Sequence, residues 1–326
     1  GSSMDSTIVD GTNLANITVD FPSNGQLQNF TIKGKGAGTI LTACILCNLT
    51  NAIISDCKIK NALTGIGLAF SSSIVNRCLI TNVSEGYNTG CDFDTCNSVI
   101  ENTIILLNNS NRRGILVDGG DNVATNNILL GIRNSNKGIE SGLFLNASEN
   151  ILENNTIAGF NINIEGFADD TAIVHNNISS YANQSGFTIN SKTDMRNNIV
   201  AYNNVGTVGP TNTNSDYNLY WRNNTHTTGG LTPNDIIADP MFVNDTIPVY
   251  GGTYDYHLQA YSPAIDAGDP NILDVNGSRS DIGAYGGLLG QSYIYQDLAP
   301  RPPVNLSGQY DSPNIKIKWN KNTESD

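Results

Sequence analysis

The sequence predicts an all-β solenoid, a stack of short coils closed by a terminal cap, and three observations carry that prediction. First, similar segments recur: TGIGLAF from Thr64, TGCDFDT from Thr89, RGILVDG from Arg113, SGLFLNA from Ser141, FNINIEG from Phe160 and SGFTINS from Ser185. Second, each is followed by another short run with a polar anchor: RCLI, ENTI, TNNI, NNTI, HNNI and RNNI. The anchors fall at Cys78, Asn102, Asn126, Asn155, Asn176 and Asn197, after an earlier one at Cys57, at spacings of 21, 24, 24, 29, 21 and 21 residues. A period in the low twenties, built of short runs with Asn at the corners, is the pattern of a stacked repeat. Third, no segment sustains a 3.6-residue period over a dozen residues, so almost no helix is expected.

Taken in order, residues 1–4 (GSSM) read as a cloning scar, and residues 5–214 as the coils. Residues 6–20 are the first rungs or an N-terminal cap, and residues 27–34 the next strand. Over residues 38–57 either Thr39-Ile40 or Ile45 opens the strand. From Gly65 the segments align on their opening position. One residue later come Ile66, Cys91, Ile115, Leu143, Ile162 and Phe187; three residues later come Leu68, Phe93, Val117, Leu145, Ile164 and Ile189. Strand side chains alternate faces, so these two rows point inward. The corner asparagines suit left-handed backbone, and their amides suit hydrogen bonding from coil to coil. After Asn204 the period fails, and residues 215–298 are expected to cap the open end of the stack. Residues 299–303 (APRPP) are a stiff linker. Beyond them VNLSGQYDSPNIKIKWNKNTESD has the pattern of the first two strands of another β domain.

Thirty acidic against 17 basic residues give a net charge of −13, which repels a polyanion such as DNA over most of the surface. Calcium or an extracellular setting fits that balance better. No apolar run approaches the ~20 residues needed to span a bilayer. Because the chain opens on a scar, the lack of a signal peptide carries no information about location. The six cysteines are Cys44, Cys47, Cys57, Cys78, Cys91 and Cys96. Cys44 and Cys47 have CxxC spacing, but no second pair or nearby His completes a zinc site. Buried small hydrophobes are the simpler reading.

The outward rows are where chemistry is expected. Two past the opener lie Gly67, Asp92, Leu116, Phe144, Asn163 and Thr188; four past it lie Ala69, Asp94, Asp118, Asn146, Glu165 and Asn190. Coils stack ~4.8 Å apart, so Asp92, Asp94 and Asp118 are expected to form a triangle of carboxylates. Such a triangle needs a cation or a shared proton, and its oxygen ligands suit Ca²⁺. Two of its members could instead act as acid and base on a glycosidic bond. Arg112 and Arg113 stand close enough to grip a uronate, Phe144 to stack on a sugar ring, and Glu165 continues the same row. The competing reading is a solubilising face with Arg113 paired to Asp94 or Asp118. In the cap, Asp266, Asp269, Asp274 and Asp281 are a second candidate for Ca²⁺. His175 falls on the anchor side, and His226 and His257 in the cap, where His257 is expected to pack.

The repeats, with GLFLNASENILENNTI, DYHLQAYSPAIDAGDP and DIGAYG as they stand here, resemble secreted bacterial and archaeal right-handed parallel β-helix proteins of the pectate-lyase-like superfamily. The resemblance spans roughly residues 6–290. It implies a right-handed parallel β-helix of about ten coils and an extracellular or cell-surface location. It also implies a polysaccharide or cell-surface glycan as partner, with neither nucleic acid nor membrane insertion, and a monomer. In the family's lyases the substrate groove carries Ca²⁺ on acidic residues and a Lys or Arg base. By that template Asp94, Asp118 and Arg113 are catalytic, Asp92, Asp94 and Asp118 hold metal, and Asp92, Phe144, Glu165 and Arg112 bind an acidic polysaccharide. The chain departs from the template in having no Lys on its outward rows, so Arg113 or Lys137 must serve from flanking turns. The alternative is a non-enzymatic structural or adhesive rod. The tail from Pro302 resembles the opening of a fibronectin type III domain, with Trp319 at its buried Trp position.

Overall fold

Three inward columns of apolar side chains dictate the architecture. A computed structural model of the chain describes residues 7–13, 17–35, 43–90, 97–107, 113–118, 120–141, 149–166, 171–211, 214–247 and 253–322. Of residues 84–90, 117, 118, 132–141 and 149 it describes the backbone alone. Parallel pairing places Ile54, Val75, Ile100, Ala124, Leu152, Val174 and Met195 in one register. A second column runs Ile32, Ile59, Ile80, Ile105, Leu129 and Ile157. A third runs Ile45, Ile66, Tyr87, Ile115, Ile139, Ile164 and Phe187. Every member whose side chain is described is buried. Burying each such Ile or Leu stabilises the fold by ~1.5–3 kcal/mol, and only parallel stacking repeats the burial at every coil. The result is an all-β parallel β-helix of about eight turns, against the ten expected. Among the described residues the stacked strands form a 17-stranded sheet and a 9-stranded sheet. No α-helix occurs among the described residues, so none there is long and apolar enough to cross a membrane.

The third column corrects the expected register. Aligning coils on their glycines put Cys91 beside Ile66 and Ile115, but Tyr87 stands there, because one strand runs unbroken from Leu79 to Gly90. Counting from the preceding corner, rather than from the glycine, sets the pairing. Ile164, not Ile162, aligns with Ile139 and Phe187. The shifts are four residues and two, both even, so the inward face is kept. Cys91, Phe93, Leu143 and Leu145 lie outside the described residues.

The corners divide between two residues a task that the sequence reading gave to one. Asp56, Arg77, Asn102, Asn126, Asn154, Asn176, Asn197 and Tyr217 have φ between 50° and 56°. This is the left-handed turn that Asn tolerates best among non-glycine residues. The next residue points inward: Cys57, Cys78, Thr103, Asn127, Asn155, Asn177, Asn198 and Asn218, all buried. From Asn127 onward each Nδ2 donates to the Oδ1 one coil on, at 3.0 Å for Asn127–Asn155, Asn155–Asn177, Asn177–Asn198 and Asn198–Asn218. Each Oδ1 also accepts a backbone N–H from the coil before, so a buried polar column is satisfied along its length. Asp235 takes the last place, its Oδ1 accepting from the Asn218 N–H at 2.9 Å. Upstream the column is completed by Cys57 and Cys78, which are free thiols, as are buried Cys44 and Cys47. Burial pushes the Cys44 thiol up to about 12 and Cys47 up to about 11, which makes both inert at neutral pH.

Parallel pairing continues past residue 214, where the coils were expected to stop, through Leu219–Trp221, Thr225–Thr227 and Ile236–Ile237. The chain beyond does more than close the stack. Phe242, Tyr256, Leu258, Ala264 and Ile282 cover the outward row Ile178, Ile199 and Leu219, making a second core on the flank. Residues 269–286 then run back along the corner asparagines. Asp269 N–H donates to Asn197 Oδ1 (2.7 Å), Asn176 Nδ2 to the Asp281 carbonyl (2.9 Å) and Asn154 Nδ2 to the Ala284 carbonyl (3.0 Å). This strap bonds to corners of three successive coils. Beyond it, Arg301 lies 3.3 Å from Asp245. The hairpin Ser307–Asp311 and Asn314–Lys318 is exposed along both strands, and Trp319 is 57% exposed.

Candidate functional site

The sheet face singled out by the sequence is only partly assembled. Asp92, Asp94, Arg112 and Phe144 lie outside the described residues, as does the side chain of Asp118. Leu116 pairs with Asn88 and Asp118 with Gly90, so the position opposite Asp118 is Gly90 and not, as expected, Asp94. Arg113 is half-buried and pairs in register with Lys137. Glu165 is half-buried, between Glu140 and Thr188 in the ladder. Leu116, expected to face outward, is buried. Among the described residues no group of three His, Cys, Asp or Glu side chains is placed to hold a metal ion.

The cap acids are occupied as latches. Asp269 accepts from Asn271 N–H and Nδ2, both at 2.9 Å, and from Arg196. Asp274 accepts from the Gly287 N–H at 2.6 Å. Asp281 accepts from the Asp266 N–H at 2.8 Å and the Tyr295 hydroxyl at 2.7 Å. His257 packs, stacked on Tyr285 with ring centroids 3.9 Å apart, its Nδ1 2.6 Å from Asp255.

Burial pushes the Asp281 carboxyl up to about 6, although the bonds from Tyr295 and Asp266 act to lower it; Asp274 is raised for the same reason. A carboxyl whose folded value exceeds its unfolded one adds stability that is full below the unfolded value, near 4, and lost as pH rises through about 6. Asp281→Asn is therefore expected to flatten the pH dependence of the melting temperature between pH 4 and 6. The gain at pH 7 should be on the order of 1–2 kcal/mol, since partial solvation screens the shift. Melting curves across that window check it.

A different constellation lies under the strap. Strands Glu149–Glu153, Thr171–His175 and Thr193–Arg196 each end on an outward residue just before the corner, their neighbours Leu152, Val174 and Met195 being buried. Register therefore stacks Glu153, His175 and Arg196 on successive coils. His175 Nδ1 is 3.6 Å from Glu153 Oε1, and its Nε2 is 3.4 Å from Asp194 Oδ2. Nε2 is shielded from solvent and makes no hydrogen bond. Arg196 Nε donates to Asp194 Oδ1 at 2.8 Å, and its Nη1 to Asp269 Oδ2 at 2.5 Å. Burial lowers the His175 imidazole below its ordinary value against the pull of Asp194, and burial raises the Glu153 carboxyl. Both shifts have one leading cause, the loss of solvation around the pair.

Glu153 and His175 line a cleft of about 520 Å³ whose other walls are Asn154, Asn176, Asn271, Ile272 and Leu273 and the loop Gly287, Leu288 and Leu289. A second hollow of about 290 Å³, with Asn102, Asn126, Tyr285 and Gln291, adjoins it at Asn154 and Leu289. The sequence reading set His175 aside as an anchor residue. The signal was present: the position before the corner reads Glu101, Thr125, Glu153, His175, Arg196 and Asp216 in successive coils, and ionisable side chains dominate it.

No protein-family model and no curated protein matches this chain.

Proposed function

We propose that the protein is an extracellular or cell-surface solenoid that engages glycans, with the flank cleft as its binding site. The observation that carries this reading is the cleft itself. Its size lies within the ~300–1,000 Å³ of ordinary ligand sites, and side-chain amides of Asn154, Asn176 and Asn271 surround the Glu153–His175 pair. The amide nitrogens of Asn154, Asn176 and Asn271 are held by the strap and by Asp269, so the Glu153 carboxylate and the His175 imidazole are the groups offered to sugar hydroxyls. A carboxyl and an imidazole 3.6 Å apart also supply an acid and a base, should the bound glycan be cleaved. The sheet face around Arg113 and Asp118, with Ca²⁺, is the competing location, and a rod without ligand is the competing role.

Titration with a panel of neutral, acidic and amino-bearing oligosaccharides separates them. Binding is expected in the wild type and in Arg113→Ala, and is expected to fall roughly tenfold or more in Glu153→Gln. Loss in Arg113→Ala alone would move the site to the sheet. A panel with no binder at all would leave the rod.

A further inference from the structure

We propose that the flank cleft selects an amino sugar, a hexosamine whose free ammonium pairs with Glu153, over neutral and uronic glycans. The inference rests on the glycan reading above and names the substrate class for that site.

Charge bookkeeping around the cleft gives the reason. Glu153 is the carboxylate that lines it; behind its neighbour His175 stand Asp194 and Asp269, with one permanent cation, Arg196. That guanidinium is already held between Asp194 and Asp269. Among the described residues, no Lys or Arg comes within ion-pair distance of Glu153, whose only such neighbour is the His175 imidazole at 3.6 Å. Its side chain is 26% exposed, so it is sheltered yet open to the cleft. A sheltered carboxylate without a cation is destabilised, and an incoming ammonium that relieves it binds through a charge-assisted hydrogen bond. A uronate placed there would instead meet a carboxylate of its own sign, and a neutral sugar would leave Glu153 as it is.

The outer wall is apolar. Leu288 is 75% exposed, Leu289 47% and Leu273 45%, and all three border the cleft. They suit the C–H face of a pyranose whose amine points to the floor. The chain's net charge of −13 adds long-range attraction for a polymer of such sugars.

Calorimetric titration of the whole chain with β-1,4-linked glucosamine oligomers, their N-acetylated counterparts and galacturonic acid oligomers tests the proposal. The expected result is binding of the free amine roughly tenfold or more tighter than the acetylated form, with the uronic form weakest. Glu153→Gln should abolish the preference without lowering the melting temperature, Glu153→Asp should keep it, and Arg113→Ala should leave it unchanged. Equal affinity for acetylated and free oligomers would overturn the ammonium contact while leaving the glycan reading intact. So would a preference that survives in Glu153→Gln, which would mark it as attraction to the acidic surface at large. If no oligomer binds, and none of the wider panel does, both readings fall.

Discussion

Asn177→Ala is expected to destabilise the solenoid by about 3–5 kcal/mol. The side chain is fully buried. Its Nδ2 donates to the Leu152 carbonyl (2.8 Å), the His175 carbonyl (2.9 Å) and Asn198 Oδ1 (3.0 Å). Its Oδ1 accepts from the backbone N–H and Nδ2 of Asn155, at 2.9 and 3.0 Å. Alanine removes all of these and leaves the buried Asn155 N–H without its acceptor. A drop in the urea midpoint at unchanged slope is the readout. Because Asn177 and Asn198 share a bond, the double substitution should cost less than the sum of the singles. Additive costs would mean that the amides act one by one and not as a column.

Asp269→Ala is expected to cost about 2–4 kcal/mol and to release the strap. The carboxylate side chain is 3% exposed and ties Arg196 to Asn271. Burial alone would raise its carboxyl, but the bonds from Asn271 and Arg196 outweigh that and hold it below the usual range. Removing it strands a guanidinium beside Asp194 and frees the turn that starts the strap. Faster amide exchange confined to residues 264–291, at near-normal protection in the Asn ladder, is the pattern expected. Uniform loss of protection would show that strap and coils unfold as one. Arg196→Met, which keeps the packing of the stem, should recover part of the loss in the Asp269→Ala background.

The coils were legible because burial repeats. Ile66, Ile115 and Phe187 fall at matched places in the sequence, and each is fully buried in one column. What periodicity could not fix was where a coil's extra residues go, so Asp94 was assigned to a position that Gly90 holds. A pattern of alternating faces tolerates a shift of two or four residues without penalty. Local sequence therefore says which side chains point in, but not which ones meet. The candidate site was hidden for a second reason. Glu153 and His175 meet through coil stacking, but the walls that enclose them come from residues 271–289, more than ninety positions later. No spacing rule connects those segments. The contact depends on hydrogen bonds that Asn154 and Asn176 donate and Asn197 accepts, residues that look identical to every other corner asparagine.

The strap also changes how the molecule should respond to tension. A solenoid joined only between adjacent coils unzips from its ends, one rung at a time. Here a pull applied through the segment beyond residue 299 first loads Arg301 against Asp245, and next the bonds that hold residues 269–286 to three corners. Those bonds lie side by side along the flank, and they must yield before the coils bearing Asn154, Asn176 and Asn197 can be extended. The N-terminal coils, before Asn102, have no such brace among the described residues. The chain is thus built with a stiff half and a compliant half, and a single-molecule extension trace should show small steps at low force followed by one large rip at higher force.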